Sequence, residues 1–382
     1  MGMSESRQPC IFIGSPGGAG AVADHFLALG AELARRGNEV KMISSHAEAN
    51  GCCGNHNPEC LAWPSRRPTR WTDALFLAGL IRRFKPDCLI ANFAAVNWMC
   101  LVGWLLGVRN RIAFYHTLSS QIARDSRSTK NRLSVLRIRK RWVYRATTCI
   151  VANSQAASED VQQSYSVPSS KCTVWRNSIS DPLDKVDVKS ADERADLIVC
   201  AGRLDCSKGQ DVLLEALAMC GSKIGSTKVE FLGSGPMLES LRQMAEQYRV
   251  GDRCSFAGTV TRERVLSRMA QARVTVVPSR NEAFGLVNIE SMAVGTPVIA
   301  SRVDGIPEVI RDGMDGFLVP SGDPQALAEK LLSVLPNIEL RERLGRNARQ
   351  RYLEQFEDRL VIRKQADWLD ELIQPNVGSA QE

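Results

Sequence analysis

Residues 273–301 read RVTVVPSRNEAFGLVNIESMAVGTPVIAS, and this stretch decides the fold. RVTVVPS is typical of a buried strand, AFGLVNIESMAVG has helical spacing and ends at Gly295, and TPVIAS is typical of a second strand. A strand, a helix and a strand joined by short loops indicate a βαβ unit, in which the strands are parallel. The stretch therefore predicts an α/β fold.

The sequence on both sides of this unit continues the alternation. Further strand-like runs are LIVCAGRL, KVEFLG and GFLVP, separated by helical stretches such as DVLLEALAMC and PQALAEKLLSVL. Asp323 followed by Pro324 is a typical helix start, because aspartate caps free N–H groups and proline fits the first turn. Residues 197–352 are therefore predicted to form one α/β domain.

The first half has the same architecture without repeating the sequence. CIFIG, EVKMIS, DCLIAN, RIAFYH and CIVANS read as strands separated by helical stretches, which predicts a doubly wound domain over residues 1–178. Residues 179–196 are polar without an apolar period and are predicted to be an interdomain linker. Residues 353–382 are predicted to be a C-terminal helical segment with an amphipathic face.

Composition limits the class of protein. Of 382 residues, 44% are hydrophobic and 24% are charged, which is typical of a soluble globular chain. Twelve cysteines are scattered along a sequence that lacks a signal-peptide pattern, so a reducing cytosol is expected. A cluster of cysteines and histidines fits either an ordinary loop or a zinc site, although it contains no Cys-x-x-Cys pair. Its members are His46, Cys52, Cys53, His56 and Cys60.

One long stretch without charge raises the question of a membrane span. Residues 88–108 carry no charged side chain and are long enough on paper to cross a bilayer. The stretch contains Asn92 and Asn97, and it divides more naturally into a short strand and a buried helix. A protein without a membrane span is therefore predicted.

Positive charge is concentrated in the first half. The formal net charge is +7, and residues 109–145 contain 11 Lys or Arg but one acidic residue, Asp125. This basic region fits a solvated helix, and it equally fits a surface that meets anionic lipid or a phosphorylated acceptor. No aromatic-interleaved motif typical of nucleic-acid binding accompanies it, so no nucleic-acid partner is expected.

Loops after strands are the places to search for ligand contacts in such folds. The first, from Gly14 to Gly20, has glycines that do not follow the Gly-x-Gly-x-x-Gly spacing, and the next strand ends without an acid for a ribose hydroxyl. An NAD enzyme is therefore not expected. Gly17 and Gly18 allow either a close backbone approach to a ligand or simply a tight turn.

Two further loops carry candidate phosphate contacts. Arg203 and Lys208 lie in AGRLDCSKG, where a guanidinium and an ammonium five residues apart suit a diphosphate, although two solvated surface cations would give the same pattern. FLGSGP places Gly233 at another strand end, either lining a ligand site or forming a plain turn.

The fourth loop carries two glutamates. Glu282 precedes the helix predicted within residues 273–301, and Glu290 lies about a turn and a half further in. If the helix starts near Phe284, the N–H groups of Phe284, Gly285 and Leu286 point out of its N-terminus and favour an anion such as a phosphate. Glu290 could then accept hydrogen bonds from paired hydroxyls such as those of ribose. Each glutamate alone also fits capping or a surface position.

These residues resemble the retaining glycosyltransferases of family 4, the "glycosyl transferases group 1" class with the GT-B fold. The resemblance rests on AGRLDCSKGQDVLLEAL, FLGSGP, FAGTV and PSRNEAFGLVNIESMAVGTPVIASRVDGIPEVIRDGMDGFLVPSGD, which cover nearly the whole second domain. The first domain matches in outline. The resemblance implies two Rossmann-like domains facing a cleft, with the nucleotide sugar held by the second, the acceptor by the first, and a last helix that crosses back to the first domain.

The resemblance also implies roles for single residues. Arg203 and Lys208 would bind the donor diphosphate, Glu282 would lie near the donor sugar, and Glu290 would bind the nucleotide ribose. The amides of residues 284–286 would lie near phosphate and sugar. His116 matches a family histidine close to the donor sugar, whereas Asn92 stands where a histidine is frequent and Asn177-Ser178 where Asn-Gly is usual.

Chemistry completes the expectation. Charge develops on the leaving diphosphate during glycosyl transfer, and many glycosyltransferases neutralise it with a metal held by Asp-x-Asp, a motif that this sequence lacks. We therefore expect a transferase that needs no cofactor or metal, with a UDP-sugar favoured as donor and a GDP-sugar next. The expected acceptor is a glycan or lipid-linked hydroxyl, at the cytoplasmic membrane face. A sugar-nucleotide epimerase and a non-catalytic nucleotide-sugar-binding protein are the alternatives.

Overall fold

The computed structural model describes residues 7–15, 20–45, 58–121 and 130–373. The chain forms two compact units, one of residues 1–177 with 358–382 and the other of residues 178–357. Each unit is built on one parallel sheet.

The first unit has its strands in the order β3-β2-β1-β4-β5-β6-β7, and every described pair is parallel. The order reverses between β1 and β4, as in a doubly wound sheet. The strands are β1 Cys10–Gly14, β2 Glu39–Ser44, β3 Glu59–Ala62, β4 Cys88–Ala91, β5 Asn110–Tyr115, β6 Cys149–Ala152 and β7 Cys172–Val174. The helices are α1 Ala21–Arg35, α2 Trp71–Phe84, α3 Ala95–Leu105, α4 Lys130–Arg145 and α5 Gln155–Tyr165.

The second unit repeats this plan in the order β10-β9-β8-β11-β12-β13, again with parallel pairs. Here the order reverses between β8 and β11. The strands are β8 Ala195–Ala201, β9 Lys228–Leu232, β10 Cys254–Gly258, β11 Ala272–Val277, β12 Val298–Arg302 and β13 Phe317–Pro320. The helices are α6 Gln210–Cys220, α7 Leu238–Gln247, α8 Arg262–Gln271, α9 Leu286–Ala293, α10 Ile306–Val309, α11 Pro324–Val334 and α12 Ile338–Gln355.

The last helix, α13 Asp358–Ile373, belongs to the first unit and packs against α1. His25 Nε2 lies 2.9 Å from Gln365 Oε1, and Arg36 donates to Asp367 and Asp370 at 2.7 and 2.8 Å. The apolar side of α13 lies in the core with Leu29, Leu33 and the central strands. Its amphipathic pattern is thus explained by burial against the first sheet.

Two expected segment boundaries fall differently in the structure. The stretch expected to be a linker, residues 179–196, lies in the second unit, where Ile179 and Val186 are buried. Ile179 donates its N–H to Phe356 O and accepts from the Tyr352 hydroxyl, at 3.1 and 2.9 Å. The expected start of the C-terminal segment, residue 353, lies inside α12. The polar segment of residues 179–196 thus packs on the second unit through a few buried apolar side chains, such as Ile179 and Val186.

The uncharged stretch of residues 88–108 contains β4 and the 11-residue helix α3. Among the described residues, no helix has the length and apolar character that crossing a membrane requires.

Candidate functional site

The sheet order gathers the candidate loops of the second unit at one edge. The loop with Arg203 and Lys208 leaves the end of β8, Gly233 follows β9, and Glu282 follows β11. Because β8 is hydrogen-bonded to both β9 and β11, these loops are neighbours. The carboxyl edge at a reversal of strand order is where doubly wound sheets bind ligands.

Backbone contact holds two of these loops together. Gly209 has φ +66°, and a Cβ on it would lie 2.0 Å from the Pro278 carbonyl oxygen, so only glycine fits. The Arg280 N–H donates to Ser207 O at 2.8 Å, and the Arg280 guanidinium donates to both Asp211 oxygens at 2.7 and 2.6 Å. The loop after β8 and the loop after β11 therefore form one structural block.

Two predicted site residues meet within this block. Lys208 Nζ donates to Glu282 Oε2 at 2.6 Å, and the two side chains are 22% and 16% exposed. The Glu282 backbone is fixed from the next loop, because its N–H donates to Asp304 Oδ2 at 2.9 Å and its carbonyl accepts from the Gly305 N–H at 3.1 Å. An oriented ammonium group is thus held at the edge of the sheet.

Arg203 is placed differently from Lys208. Its guanidinium is 59% exposed and has Nε 3.5 Å from Asp205, whereas its carbonyl accepts from Gln210 Nε2 at 2.9 Å. Gly233 lies against the same loop, where a Cβ would come within 2.0 Å of Gly202 O. The backbone around Arg203 is therefore fixed, and its charge remains accessible to a ligand.

The helix after Glu282 starts later than the sequence predicts. α9 begins at Leu286 instead of near Phe284, because Gly285 has φ +92°, a left-handed conformation that an α-helix cannot contain. The Asn288 N–H is bonded to Gly285 O at 3.0 Å. The N-terminus of α9 therefore offers the N–H groups of Leu286 and Val287 to an anion, and it lies two residues later than expected.

Two side chains of this segment are buried. The Phe284 ring packs edge-on against Phe356, with centroids 6.0 Å apart, so its side chain belongs to the core. Asn288 is also fully buried, and neither polar atom of its amide has a hydrogen-bond partner among the described residues. A Cβ on Gly285 would lie 2.4 Å from Asn288 Nδ2, which places this amide directly beneath the loop.

Glu290 lies further along α9 and is already engaged. Arg262, at the start of α8, donates from Nε to Glu290 Oε1 at 2.9 Å. Burial raises the pKa of the Glu290 carboxyl above its usual range, and Arg262 opposes that shift. Ribose recognition by Glu290 stays a prediction, and Arg262 is the group that holds the carboxylate in place.

In the first unit, His116 is part of a neutral network. It follows β5, and its Nε2 lies 2.8 Å from Asn92 Oδ1 at the end of β4. Asn92 Nδ2 donates in turn to Gly14 O at 3.1 Å, at the end of β1. The Phe93 ring stacks on the imidazole with centroids 4.9 Å apart. Asn92, where the resemblance suggests histidine, thus joins His116 to the start of the glycine loop.

The imidazole of His116 is neutral at physiological pH. Burial lowers the pKa of His116 to about 3, and nearby His25 adds to the shift. With the Asn92 oxygen as acceptor, Nε2 carries the proton and Nδ1 is an acceptor, for which the described residues supply no donor. A role for His116 beside the donor sugar stays a prediction.

Several predicted residues lie outside the described residues. They include Gly17 and Gly18 of the first loop, and His46, Cys52, Cys53 and His56 of the possible zinc cluster. Cys60 lies in β3. The described ranges contain no group of three or more His, Cys, Asp or Glu arranged to hold a metal ion.

The sequence reasoning missed four side chains that hold the candidate residues in place. Arg280 and Asp211 tie the loops together, Asp304 holds Glu282, and Arg262 pairs with Glu290. Asp304 had a detectable signal, because it lies in a polar loop directly after a strand, in VDGIPE. The other three contact residues that are distant in the sequence, so no local spacing predicts them.

Two family models match adjoining parts of the chain. The model "Glycosyl transferases group 1" matches residues 184–351, and "Glycosyltransferase Family 4" matches residues 18–181. The chain belongs to this family of glycosyltransferases.

Curated relatives agree with this assignment. Sulfoquinovosyl transferase SQD2 of Arabidopsis thaliana is 27% identical over 286 residues, which cover 71% of this chain and 54% of the relative. D-inositol 3-phosphate glycosyltransferase of Jonesia denitrificans is 31% identical over 281 residues, which cover 66% and 65%. The matched region thus spans between about half and two thirds of these relatives.

A solved structure confirms the GT-B fold. The Anabaena protein HepE in complex with UDP-glucose superimposes with a TM-score of 0.74 at 18% identity, covering 95% of this chain and 99% of HepE. The chain therefore has the two Rossmann-like sheets that the resemblance implied.

Proposed function

We propose that this family 4 glycosyltransferase moves a hexose-type sugar from a nucleoside-diphosphate sugar to a hydroxyl acceptor, with retention of configuration and without a metal. The observation that carries the proposal is the 2.6 Å ion pair between Lys208 and Glu282, held at the carboxyl ends of β8 and β11. A charged pair fixed at this edge is suited to an anionic donor.

Three positive groups converge on this edge of the second unit. Arg203 offers an accessible guanidinium, Lys208 an oriented ammonium, and α9 the N–H groups of Leu286 and Val287. A charge-assisted hydrogen bond contributes about 1.5–3 kcal/mol, which is roughly ten- to a hundredfold in rate when the bond strengthens in the transition state. The diphosphate becomes more negative as it leaves, so these groups favour the transition state over the bound donor.

The reaction balances without an additional reagent. The bond from the sugar C1 to the diphosphate oxygen breaks, and its electron pair stays on the diphosphate. A bond forms between C1 and the acceptor hydroxyl oxygen on the same face of the sugar. The hydroxyl proton goes to an oxygen of the departing diphosphate, which the positive groups keep in place.

For the donor we propose a UDP-sugar first and a GDP-sugar second. The support is that HepE, which shares the fold, binds UDP-glucose. A buried carboxylate on α9, Glu290, is the proposed acceptor for the ribose hydroxyls, with Arg262 holding it.

For the acceptor we propose a glycan or a lipid-linked hydroxyl, as in the synthesis of cell-surface polysaccharides or glycoconjugates at the cytoplasmic membrane face. The support is the basic region of residues 109–145, which suits either an anionic membrane surface or a phosphorylated acceptor.

Substitution of the two cations tests the proposal. Arg203→Ala and Lys208→Ala are each expected to lower kcat/KM for the donor by at least about tenfold. Arg242→Ala is the matched control, because Arg242 is an exposed cation on α7 of the same unit and should leave turnover unchanged. Undiminished transfer by both site variants would refute the donor assignment.

Two assays separate the alternatives. A thermal-shift screen over UDP, GDP, ADP and their sugars identifies the base, because a bound ligand raises stability by mass action. NMR of the preferred donor alone would show isomerisation by an epimerase, whereas a non-catalytic binder would leave the donor intact with every acceptor.

A further inference from the structure

The helix α4 has an exposed face that the proposed donor chemistry does not use. Val135, Ile138 and Trp142 are 65%, 57% and 62% exposed. Their spacing of three and then four residues places them in one stripe along the helix. The opposite side is packed, since Val143 and Tyr144 are buried. α4 therefore carries a second apolar face, directed to solvent.

Arginines border this stripe on both sides. At 3.6 residues per turn, Arg139 lies on one side, and Arg141 and Arg145 lie on the other. Arg137 lies further round the helix, next to the buried Tyr144. All four are exposed, and none of them forms a salt bridge with a described carboxylate. The Arg145 guanidinium lies 5.2 Å from the centroid of the Trp142 ring. No acidic residue occurs from Lys130 to Arg145.

A neighbouring helix adds exposed apolar residues. α3 packs against α4, and the last two residues of α3, Trp104 and Leu105, are 57% and 71% exposed. Charge alone suits a soluble phosphorylated molecule as well as a membrane. An exposed tryptophan, isoleucine and valine between arginines suit a partner that has anionic groups above an apolar interior.

We propose that α4 binds the surface of an anionic lipid bilayer, with the stripe of Val135, Ile138 and Trp142 inserted between headgroups and the bordering Arg139, Arg141 and Arg145 on lipid phosphates. Burial of the stripe supplies the apolar part of the affinity, and the arginines supply an electrostatic part that salt screens. This inference rests on the proposed function in one respect, because it selects a membrane surface over a soluble phosphorylated acceptor.

Co-sedimentation of the full chain with vesicles tests the inference. We expect binding to vesicles of phosphatidylcholine mixed with phosphatidylglycerol, weak binding to phosphatidylcholine alone, and weaker binding in high salt. Ile138→Ser combined with Trp142→Ser should lower the partition coefficient at least about tenfold, as should Arg139→Gln combined with Arg141→Gln. Trp71→Ser is the matched control, since Trp71 on α2 is also exposed, at 69%.

The inference is overturned if the serine variant binds anionic vesicles like the wild type, if Trp71→Ser lowers binding as much, or if the wild type does not bind at all. Circular dichroism and unchanged thermal stability establish that each variant is folded. A thermal shift by UDP, measured without vesicles, keeps the two proposals separate: loss of that shift with retained vesicle binding would count against the donor site and leave α4 as the membrane surface.

Discussion

The two sheets reverse their strand order at equivalent places, and the bridge across each reversal is chemically different. Between β8 and β11 the bridge is an ion pair, Lys208 with Glu282, in loops that touch backbone to backbone. Between β1 and β4 it is a neutral amide contact, Asn92 Nδ2 to Gly14 O, extended to an uncharged His116.

The difference shows how one fold provides two kinds of site. A charged bridge prepares a place for an anion, because fixed charges need no reorganisation when the ligand's charge develops. A neutral bridge offers hydrogen bonds of modest strength and suits an uncharged hydroxyl-rich molecule. Under the proposed function, donor recognition would depend on the charged groups of the second unit, and the neutral groups of the first unit would contribute hydrogen bonds without charge.

The largest expected effect comes from breaking the backbone contact of the second unit. Gly209→Ala places a Cβ against Pro278 O and is expected to destabilise the unit by about 3 kcal/mol or more, with loss of donor binding. Gly322→Ala is the control, since Gly322 has φ +77° with open space around it and should cost about 1–2 kcal/mol. Urea unfolding and UDP thermal shifts measure both. Equal costs would mean that the loops do not depend on their contact.

The next effect concerns the charged bridge itself. Lys208→Met and Glu282→Gln should each lower kcat/KM for the donor about ten- to a hundredfold, and the double variant should resemble the worse single variant. The reason is that each residue orients the other at 2.6 Å. A double-mutant cycle of donor kinetics measures this coupling. If the two effects simply multiply, the residues act independently and the bridge has no joint role.

The smallest effect concerns the neutral bridge. The pKa of His116 is lowered from 6.5 to about 3 in the folded chain. Between these two pH values the unfolded chain binds a proton on this imidazole, whereas the folded chain does not. The free energy of unfolding therefore has its full value above pH 6.5 and decreases as the pH falls towards 3. At about pH 5 the loss is about 2 kcal/mol. His116→Asn should flatten this dependence in urea unfolding between about pH 7.5 and 5, and an unchanged slope would argue against a neutral His116.

The sequence predicts the central strands and the edge strand β13, but it does not predict the other three edge strands. Strands such as β1, β4 and β8 are buried on both faces and appear as apolar runs. β3, β7 and β10 are three to five residues long and half-exposed at sheet edges, so no apolar run marks them. Short edge strands take their structure from the neighbour they pair with.

The candidate site divides in the same way. Lys208, Arg203 and Glu282 could be found because each lies in a loop directly after an apolar strand. The start of α9 could not be placed from the sequence, because a glycine such as Gly285 can be either left-handed or helical. Its left-handed conformation, which delays the helix, is visible only in the structure. Arg262 and Asp211 act on partners 28 and 69 residues away, and only the folded chain reveals such pairs.

The placement of α13 in the first unit has a consequence for synthesis. The first unit needs Ile362, Ala366 and Leu369 from α13 to complete the core around Leu29 and Leu33. All of residues 178–357 must therefore leave the ribosome before that core can close. The first unit is therefore the first to be synthesised and the last to complete its core. A nascent chain stalled before residue 358 would contain every strand of the second sheet but would leave the apolar side of α1 exposed.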